Sequence, residues 1–317
     1  MLGKMIGKVA LERTLGKFLE DDSHLVLGFE EKGKEVGHRI FKNDLKGFTL
    51  VNPFFSANGA LYLRRLFSKG AEIILMLRPC EIRAYHELVK LNQIEAEKIV
   101  AVSIDCAGAS SLKDPGKPRT ACQSCREKRG VIGDAGIRFD AKGVPWLLPY
   151  TEKGEEFTRL IEGEAEEIPP FPDKEERGTE KFSTNMEAFS EELAHCIMCR
   201  NCKAMCPVCY CIDCVFNGDE YLPKGDALLN KVFRSGSLEM PQGKELFHMI
   251  RMFHVSQVCV GCGACEEACP QGIPLTKYFK GVSERLQSMF SYMSGRSLEE
   301  EIPYLSFQED ELKDAED

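Results

Sequence analysis

The stretch CIMCRNCKAMCPVCYCIDC, residues 196–214, holds seven cysteines in nineteen residues. Its first four cysteines follow the spacing Cys-x2-Cys-x2-Cys-x3-Cys-Pro, and the same spacing with the same proline returns at residues 259–270. This is the cysteine run of bacterial two-cluster ferredoxins, in which three thiolates bind one cluster and the fourth cysteine reaches the other cluster. The paired runs therefore predict two 4Fe-4S clusters.

The ligands of these clusters are expected to cross between the two runs. One cluster is predicted to bind to Cys196, Cys199, Cys202 and Cys269. The other is predicted to bind to Cys259, Cys262, Cys265 and Cys206. A pair of zinc ribbons also uses Cys-x2-Cys pairs, but it explains neither the third cysteine of each run nor the proline. The segments GDALLNKVF and GKELFHMIRMFHVSQ between the runs have helical periodicity, so this module is predicted to be mostly helical.

Length, charge and composition limit the class of protein. A chain of 317 residues is long enough for two domains. A formal net charge of −9 argues against nucleic acid as the main partner. The absence of a long apolar run and of a signal peptide predicts a cytoplasmic chain without a membrane span. In that compartment, fifteen cysteines indicate metal binding rather than disulfides.

The first half of the chain has the pattern of an α/β domain with a partly parallel sheet. The apolar stretch 71–78, the helical pattern of 81–93 and the apolar stretch 98–105 predict two parallel strands joined by a helix. Residues 24–41 are predicted to form a hairpin, and residues 59–70 a helix. We expect an α/β domain at 1–150, a linker at 151–185, the two-cluster domain at 186–290 and an acidic tail at 291–317.

Four cysteines of the α/β domain suggest a third 4Fe-4S cluster. Cys80 and Cys106 each follow one of the two predicted parallel strands, and the pair Cys122-x2-Cys125 lies in the next loop. Parallel neighbours end at the same edge of a sheet, which would bring these thiols together. The alternative is that Cys80 and Cys106 are small buried apolar residues.

The roles of Cys209, Cys211 and Cys214 stay open at the level of sequence. One of them could replace Cys80 as a ligand, or all three could form a further site with a borrowed ligand such as Asp213. They could also be free thiols beside the first ferredoxin run. His195 and His254 lie close to cluster cysteines along the chain and are interpreted as packing or supporting residues.

Three stretches resemble the beta-subunit family of coenzyme-deazaflavin hydrogenases and dehydrogenases, in particular formate dehydrogenase beta subunits. They are RPCEIRAYHELVKLNQ followed by VSIDCAG, the CPVCYCIDC extension of the first ferredoxin run, and SYMSGRSLEEEIPYLSF. The resemblance implies an N-terminal α/β domain that can bind FAD and use a deazaflavin coenzyme, with clusters that pass electrons to a catalytic partner. Where flavin-binding relatives carry a Gly-Gly turn, NPFFSANGALYLRR (52–65) has only Gly59 before its helix, which makes FAD less expected.

Together these patterns predict an electron-transfer subunit of a larger complex in anaerobic metabolism, not catalytic on its own. Its partners would be catalytic redox subunits, and a deazaflavin coenzyme or a ferredoxin could exchange electrons with it. The alternative is a flavin-containing subunit that oxidises or reduces a deazaflavin or nicotinamide coenzyme, since a flavin converts between hydride and single electrons. A third hypothesis is a scaffold protein that is stabilised by zinc and has no redox role.

Overall fold

The computed structural model describes residues 2–50, 57–66, 70–171, 186–217, 225–236 and 243–307. The strands are β1 (Leu2–Met5), β2 (His24–Lys32), β3 (Glu35–Phe41), β4 (Phe48–Thr49), β5 (Glu72–Leu77), β6 (Ile99–Ile104), β7 (Ala135–Phe139), β8 (Pro145–Pro149) and β9 (Ala165–Glu167). The helices are α1 (Lys8–Phe18), α2 (Ala60–Leu66), α3 (Pro79–Lys90), α4 (Thr120–Gln123), α5 (Glu152–Leu160), α6 (Met186–Leu193), α7 (Asn201–Ala204), α8 (Gly225–Ser235), α9 (Lys244–Val255), α10 (Ala264–Glu267) and α11 (Leu275–Met289). Within these ranges, no helix combines the length and apolar character needed to cross a bilayer.

The described strands form one mixed sheet in the N-terminal half of the chain. Its order is β3-β2-β5-β6-β7-β8-β1-β9, and β4 pairs with β2 outside this path. The neighbours from β2 through β5 and β6 to β7 pair in parallel, whereas the flanking pairs are antiparallel. β5 and β6 are almost fully buried, as expected of parallel strands that are covered on both faces. Both strands end at the same edge, where Cys80 and Cys106 follow.

The predicted α/β character of the first half is confirmed. β5, α3 and β6 form the expected unit, with Ile73 paired in parallel to Ile99. The hairpin is present as β2 and β3, which pair from Val26 and Phe41 to Lys32 and Glu35. α2 covers the first part of the predicted helix, and residues 67–69 lie outside the described residues.

The stretch 151–185, expected to be a linker, begins with two elements of the α/β unit. The Thr151 hydroxyl accepts a hydrogen bond from the Gly154 N–H and so caps α5, and Phe157 is buried beneath that helix. β9 then pairs with β1 at the edge of the sheet. The α/β unit therefore extends to Glu167. Residues 172–185, and 308–317 of the acidic tail, lie outside the described part of the chain.

The two halves of the chain are joined by a polar face of α3. The Arg83 Nε donates to the Ser294 carbonyl oxygen at 2.7 Å, and the Tyr292 hydroxyl donates to Glu87 at 2.6 Å. The Lys90 Nζ donates to the Tyr292 hydroxyl at 2.7 Å. Two of the stretches that carry the family resemblance, RPCEIRA and SYMSGRS, are thus hydrogen-bonded to each other across more than two hundred residues of sequence.

Candidate iron-sulfur centres

One cavity is lined by all four cysteines predicted to bind the first cluster, and we call it the first site. These are Cys196, Cys199, Cys202 and Cys269. Cys269 belongs to the second ferredoxin run, so the structure brings it to the cysteines of the first run as the crossed spacing predicts. Cys199 is exposed, whereas the other three are buried. The first site therefore reaches the protein surface through Cys199.

The two ferredoxin runs follow the same backbone course. The second and fourth residues after the first cysteine have left-handed dihedral angles in both runs, with φ of 55° at Met198 and 65° at Arg200. The matching positions are Gly261, with φ of 65°, and Gly263, with φ of 72°. A left-handed conformation is strained for residues other than glycine and persists where the surroundings require it. In both runs a short helix, α7 or α10, then carries the third cysteine.

The second site contains Cys206, Cys259, Cys262 and Cys265. Burial raises the pKa of the Cys265 thiol, and the nearby thiols of Cys262 and Cys259 raise it further. Cys206 interacts with Cys265 and also shares a hydrogen bond with Cys209. That hydrogen bond raises the pKa of Cys206 and lowers the pKa of Cys209 to about 6. Cys209 is thus placed beside a predicted ligand.

The four cysteines of the α/β domain line a second cavity, which we call the third site. Cys80, Cys106, Cys122 and Cys125 surround it. Cys80 lies in the first turn of α3, and Cys106 follows β6, so both come from the shared edge of the parallel strands. A fifth thiol, Cys262 of the second site, lines the same cavity. The second and third sites are therefore adjacent.

The residues at all three sites suit thiolates bound to a cluster, whose reduction potential depends on hydrogen bonds to sulfur. The Gly108 N–H donates to the Cys106 Sγ at 3.3 Å, and the Ala109 N–H donates to the Cys122 Sγ at 3.4 Å. Burial raises the pKa of Cys125, Cys196 and Cys259, and in each case the backbone N–H two residues later acts in the opposite direction. The pattern of donation from residue i+2 thus occurs at each site.

A buried ionic group supports the third site. Arg78 lines the cavity and lies 2.6 Å from Glu81, which is also 2.6 Å from His38. Burial acts to raise the pKa of Glu81, but Arg78 and His38 outweigh it and hold the pKa well below its usual value. The Gly59 N–H also donates to Glu81 at 2.9 Å. This anion fixes Arg78 at the end of β5, next to Cys80 and Cys106.

Two residues of α9 contact the first site, and reasoning from sequence missed both. His248 Nε2 lies 3.5 Å from the Cys196 Sγ, and Arg251 Nη1 donates to the Cys202 Sγ at 3.0 Å. His195 and His254, interpreted from the sequence as packing or supporting residues, are both exposed. The helical spacing of Phe247, Arg251 and Val255 marks the buried face of α9 and was the available signal.

The three cysteines that follow the first ferredoxin run, Cys209, Cys211 and Cys214, do not line the third site. Cys209 lies beside Cys206, Cys214 is half-buried, and Cys211 is exposed. The third-site cavity is lined by Cys80 itself, so the structure does not favour its replacement by one of these residues. Asp213, considered as a borrowed ligand, is exposed.

The stretch 52–65, where flavin-binding relatives carry a Gly-Gly turn, lies partly outside the described residues, which omit 51–56. In the described part, the Asn58 side chain accepts a hydrogen bond from the Ala60 N–H at 3.0 Å and caps α2. The Gly59 N–H is bonded to Glu81. The N–H groups at the start of this helix therefore have partners within the chain, in agreement with an ordinary capped helix.

Gly263→Ala is expected to destabilise the protein more than Gly261→Ala, although both sites have positive φ. A Cβ atom at 263 would lie 2.5 Å from the Cβ of Ala121 in α4, whereas at 261 the nearest atoms are in the Lys280 side chain at 3.4 Å. Overpacking of this kind costs roughly 1–3 kcal/mol beyond the shared backbone cost. Thermal unfolding of both anaerobically purified variants measures the difference, and equal midpoints would contradict the close approach of α4 to the second ferredoxin run.

The chain is similar to proteins of established function. Residues 191–273 match the family described as 4Fe-4S dicluster domain. The F420-dependent formate dehydrogenase subunit beta of Methanocaldococcus jannaschii is 23% identical, over 75% of this chain and 76% of that protein. The F420-dependent formate dehydrogenase 1 subunit beta of Methanococcus maripaludis is 24% identical over the same shares.

Among solved structures, a chain of the F420-reducing NiFe hydrogenase complex from Methanosarcina barkeri aligns with a TM-score of 0.37 and 14% identity, covering 49% of this chain and 76% of that one. The domain match covers both ferredoxin runs, and the sequence relatives each cover three quarters of this chain. Residues 191–273 therefore match a 4Fe-4S dicluster domain, and the chain is similar in sequence to the beta subunits of F420-dependent formate dehydrogenases.

Proposed function

We propose that the chain is an iron-sulfur electron-transfer subunit of a multi-subunit cytoplasmic redox complex, similar to formate dehydrogenase. The observation that carries this proposal is the continuity of the cysteine-lined sites. Cys206 and Cys269 cross between the first and second sites, and Cys262 of the second site also lines the cavity of the third. Three neighbouring clusters would form a path for single electrons from the α/β unit to the surface at Cys199.

The site residues in this proposal are the twelve cysteines assigned from the sequence. The first and third sets of four each line a cavity, and the thiols of the second set lie close to Cys265. In each set every thiolate would bind one iron of a cubane, with backbone N–H groups directed at sulfur. The clusters, when bound, take up and release one electron at a time. The chain's own residues hold the thiolates, exclude water from the buried ones and donate hydrogen bonds to them.

An electron-transfer function also implies partner subunits. A relay needs a donor and an acceptor of electrons, and the curated relatives are subunits of F420-dependent formate dehydrogenases. We propose that a catalytic redox subunit docks near the exposed Cys199 and that the two-cluster domain, with helices α6 to α11, forms the end of the relay that faces it.

A flavin-containing subunit that uses a deazaflavin or nicotinamide coenzyme is the second candidate. It is favoured by a cavity of about 420 Å³ between Cys125 of the third site and Cys259 of the second. Arg83, Arg126 and Lys280 line this cavity together with Glu127 and Glu284, and its volume is within the usual range for a small-molecule site.

Anaerobically purified full-length protein is expected to contain about twelve irons per chain, four for each site. It should show a broad visible absorption that dithionite bleaches, and EPR signals of reduced 4Fe-4S clusters. Resolved flavin bands released by acid would establish the second candidate. A colourless protein that binds zinc instead of iron would overturn the relay and favour the scaffold. Isolation from the source cell as a free monomer would count against the docking of a partner.

A further inference from the structure

Arg251 is a buried cation between the first and second sites. The residue is only 2% exposed. Its Nη1 donates to the Cys202 Sγ at 3.0 Å, and its Nη2 donates to the Cys202 carbonyl oxygen at 3.1 Å. The guanidinium also interacts with the thiols of Cys206, Cys209 and Cys265, which belong to or adjoin the second site. One positive charge is therefore shared between the two sets of cluster cysteines.

The charge of Arg251 is not neutralised by a carboxylate in the described part of the chain. Its guanidinium carbon lies 5.4 Å from the ring centre of Phe247 and 4.7 Å from that of Phe279. Burial acts to lower the pKa of Arg251, and the surrounding thiolates outweigh it and raise the pKa above its usual value. A buried charge is costly unless it is compensated. When the clusters are bound, the cysteine thiolates that hold them would be the compensating groups.

The positive charge of Arg251 would affect the reduction potentials of nearby clusters. Each cluster gains one negative charge on reduction, and the potential depends on net charge and on hydrogen bonds to sulfur. A fixed cation in a low-dielectric environment stabilises the reduced form more than the oxidised form. Arg251 contacts a ligand of the first site and lies next to ligands of the second. Its charge would therefore stabilise the reduced form of both clusters.

We propose that Arg251 is a positioning residue that raises the reduction potentials of both ferredoxin-type clusters and so retains electrons in this part of the relay. In the transfer between them, one cluster loses an electron and the other gains it, and no bond or proton changes place. This inference rests on the proposed function, since it requires that both clusters are bound. An iron-free chain would contradict the proposed function, whereas unshifted potentials in an iron-loaded variant would contradict only the role of Arg251.

The test is an EPR-monitored redox titration of the anaerobically purified full-length Arg251→Met variant. We expect the cluster bound by Cys202 to become harder to reduce by a factor of at least ten in its equilibrium constant, about 59 mV for one electron. The cluster of the second site should shift in the same direction by less. Lys277→Met is the matched control, because it removes one positive charge from the same domain at a residue paired with Glu192. Unchanged potentials in iron-loaded Arg251→Met would overturn the proposal.

A second variant separates charge from folding. If Arg251→Met binds fewer irons than the wild-type chain, Arg251→Gln is titrated, because glutamine keeps an N–H donor but carries no charge. A lowered potential in Arg251→Gln supports the proposal, and a wild-type potential overturns it. Loss of iron from both neutral variants would also overturn it, since Arg251 would then be needed to hold the clusters rather than to set their potentials.

Discussion

Replacing Cys206 by serine is expected to remove the cluster of the other ferredoxin run, the one bound by Cys259, Cys262 and Cys265. Serine offers no soft thiolate ligand, and the spacing assigns Cys206 to that cluster across the domain. Iron should fall by about four per chain, and one of the EPR signals of the dithionite-reduced protein should disappear. The cluster at Cys196, Cys199 and Cys202 should remain, because Cys269 completes its cavity.

Cys209→Ser is the matched control for this experiment. Cys209 shares a hydrogen bond with Cys206 and lies beside Arg251, so both variants change the same small region. We expect Cys209→Ser to keep its full iron content. The reverse result, with iron lost from Cys209→Ser and kept in Cys206→Ser, would assign the fourth ligand of the second site to Cys209. Loss of the Cys196 cluster from Cys206→Ser would contradict the crossed arrangement.

The sequence predicts most of what brings the cysteines together. Ligand spacing is a local property, so the two ferredoxin runs can be identified without a structure. The ends of β5 and β6 could also be located, because two short apolar runs separated by a helical pattern have few other arrangements. That is why Cys80 and Cys106, which lie twenty-six positions apart, were expected at one edge and are found lining one cavity.

Other features depend on tertiary packing that periodicity does not encode. The helical pattern of α9 indicates its buried face, but not that His248 and Arg251 on that face meet Cys196 and Cys202. The sequence of α5 and β9 is rich in glutamate and resembles a linker, yet it is held by the buried Phe157 and by pairing with β1. The approach of Cys262 to the third site results from the docking of two halves that are far apart in sequence.

Cys106→Ser is expected to remove about four irons per chain and to leave both ferredoxin-type clusters in place. Cys106 is buried, its Sγ accepts a hydrogen bond from the Gly108 N–H, and the cavity it lines holds the three other cysteines assigned to the third site. Iron and sulfide analysis with EPR of the reduced protein measures the loss. Cys211→Ser is the control, since Cys211 is exposed and does not line that cavity. Equal iron content in the two variants would mean that the third site holds no cluster.

Five thiols surround the third-site cavity, but a cubane needs only four. The Cys80→Ser variant tests whether Cys80 or Cys262 is the fourth ligand. We expect Cys80→Ser to lose the same four irons as Cys106→Ser. Burial raises the pKa of the Cys80 thiol well above its usual value, although Arg78 acts against this, so iron binding is what would deprotonate it. If Cys80→Ser keeps its full iron content while Cys106→Ser does not, Cys262 must be the fourth ligand of the third site. The second site would then need a replacement thiolate, and Cys209, beside Cys206 and Arg251, is the cysteine placed to supply it.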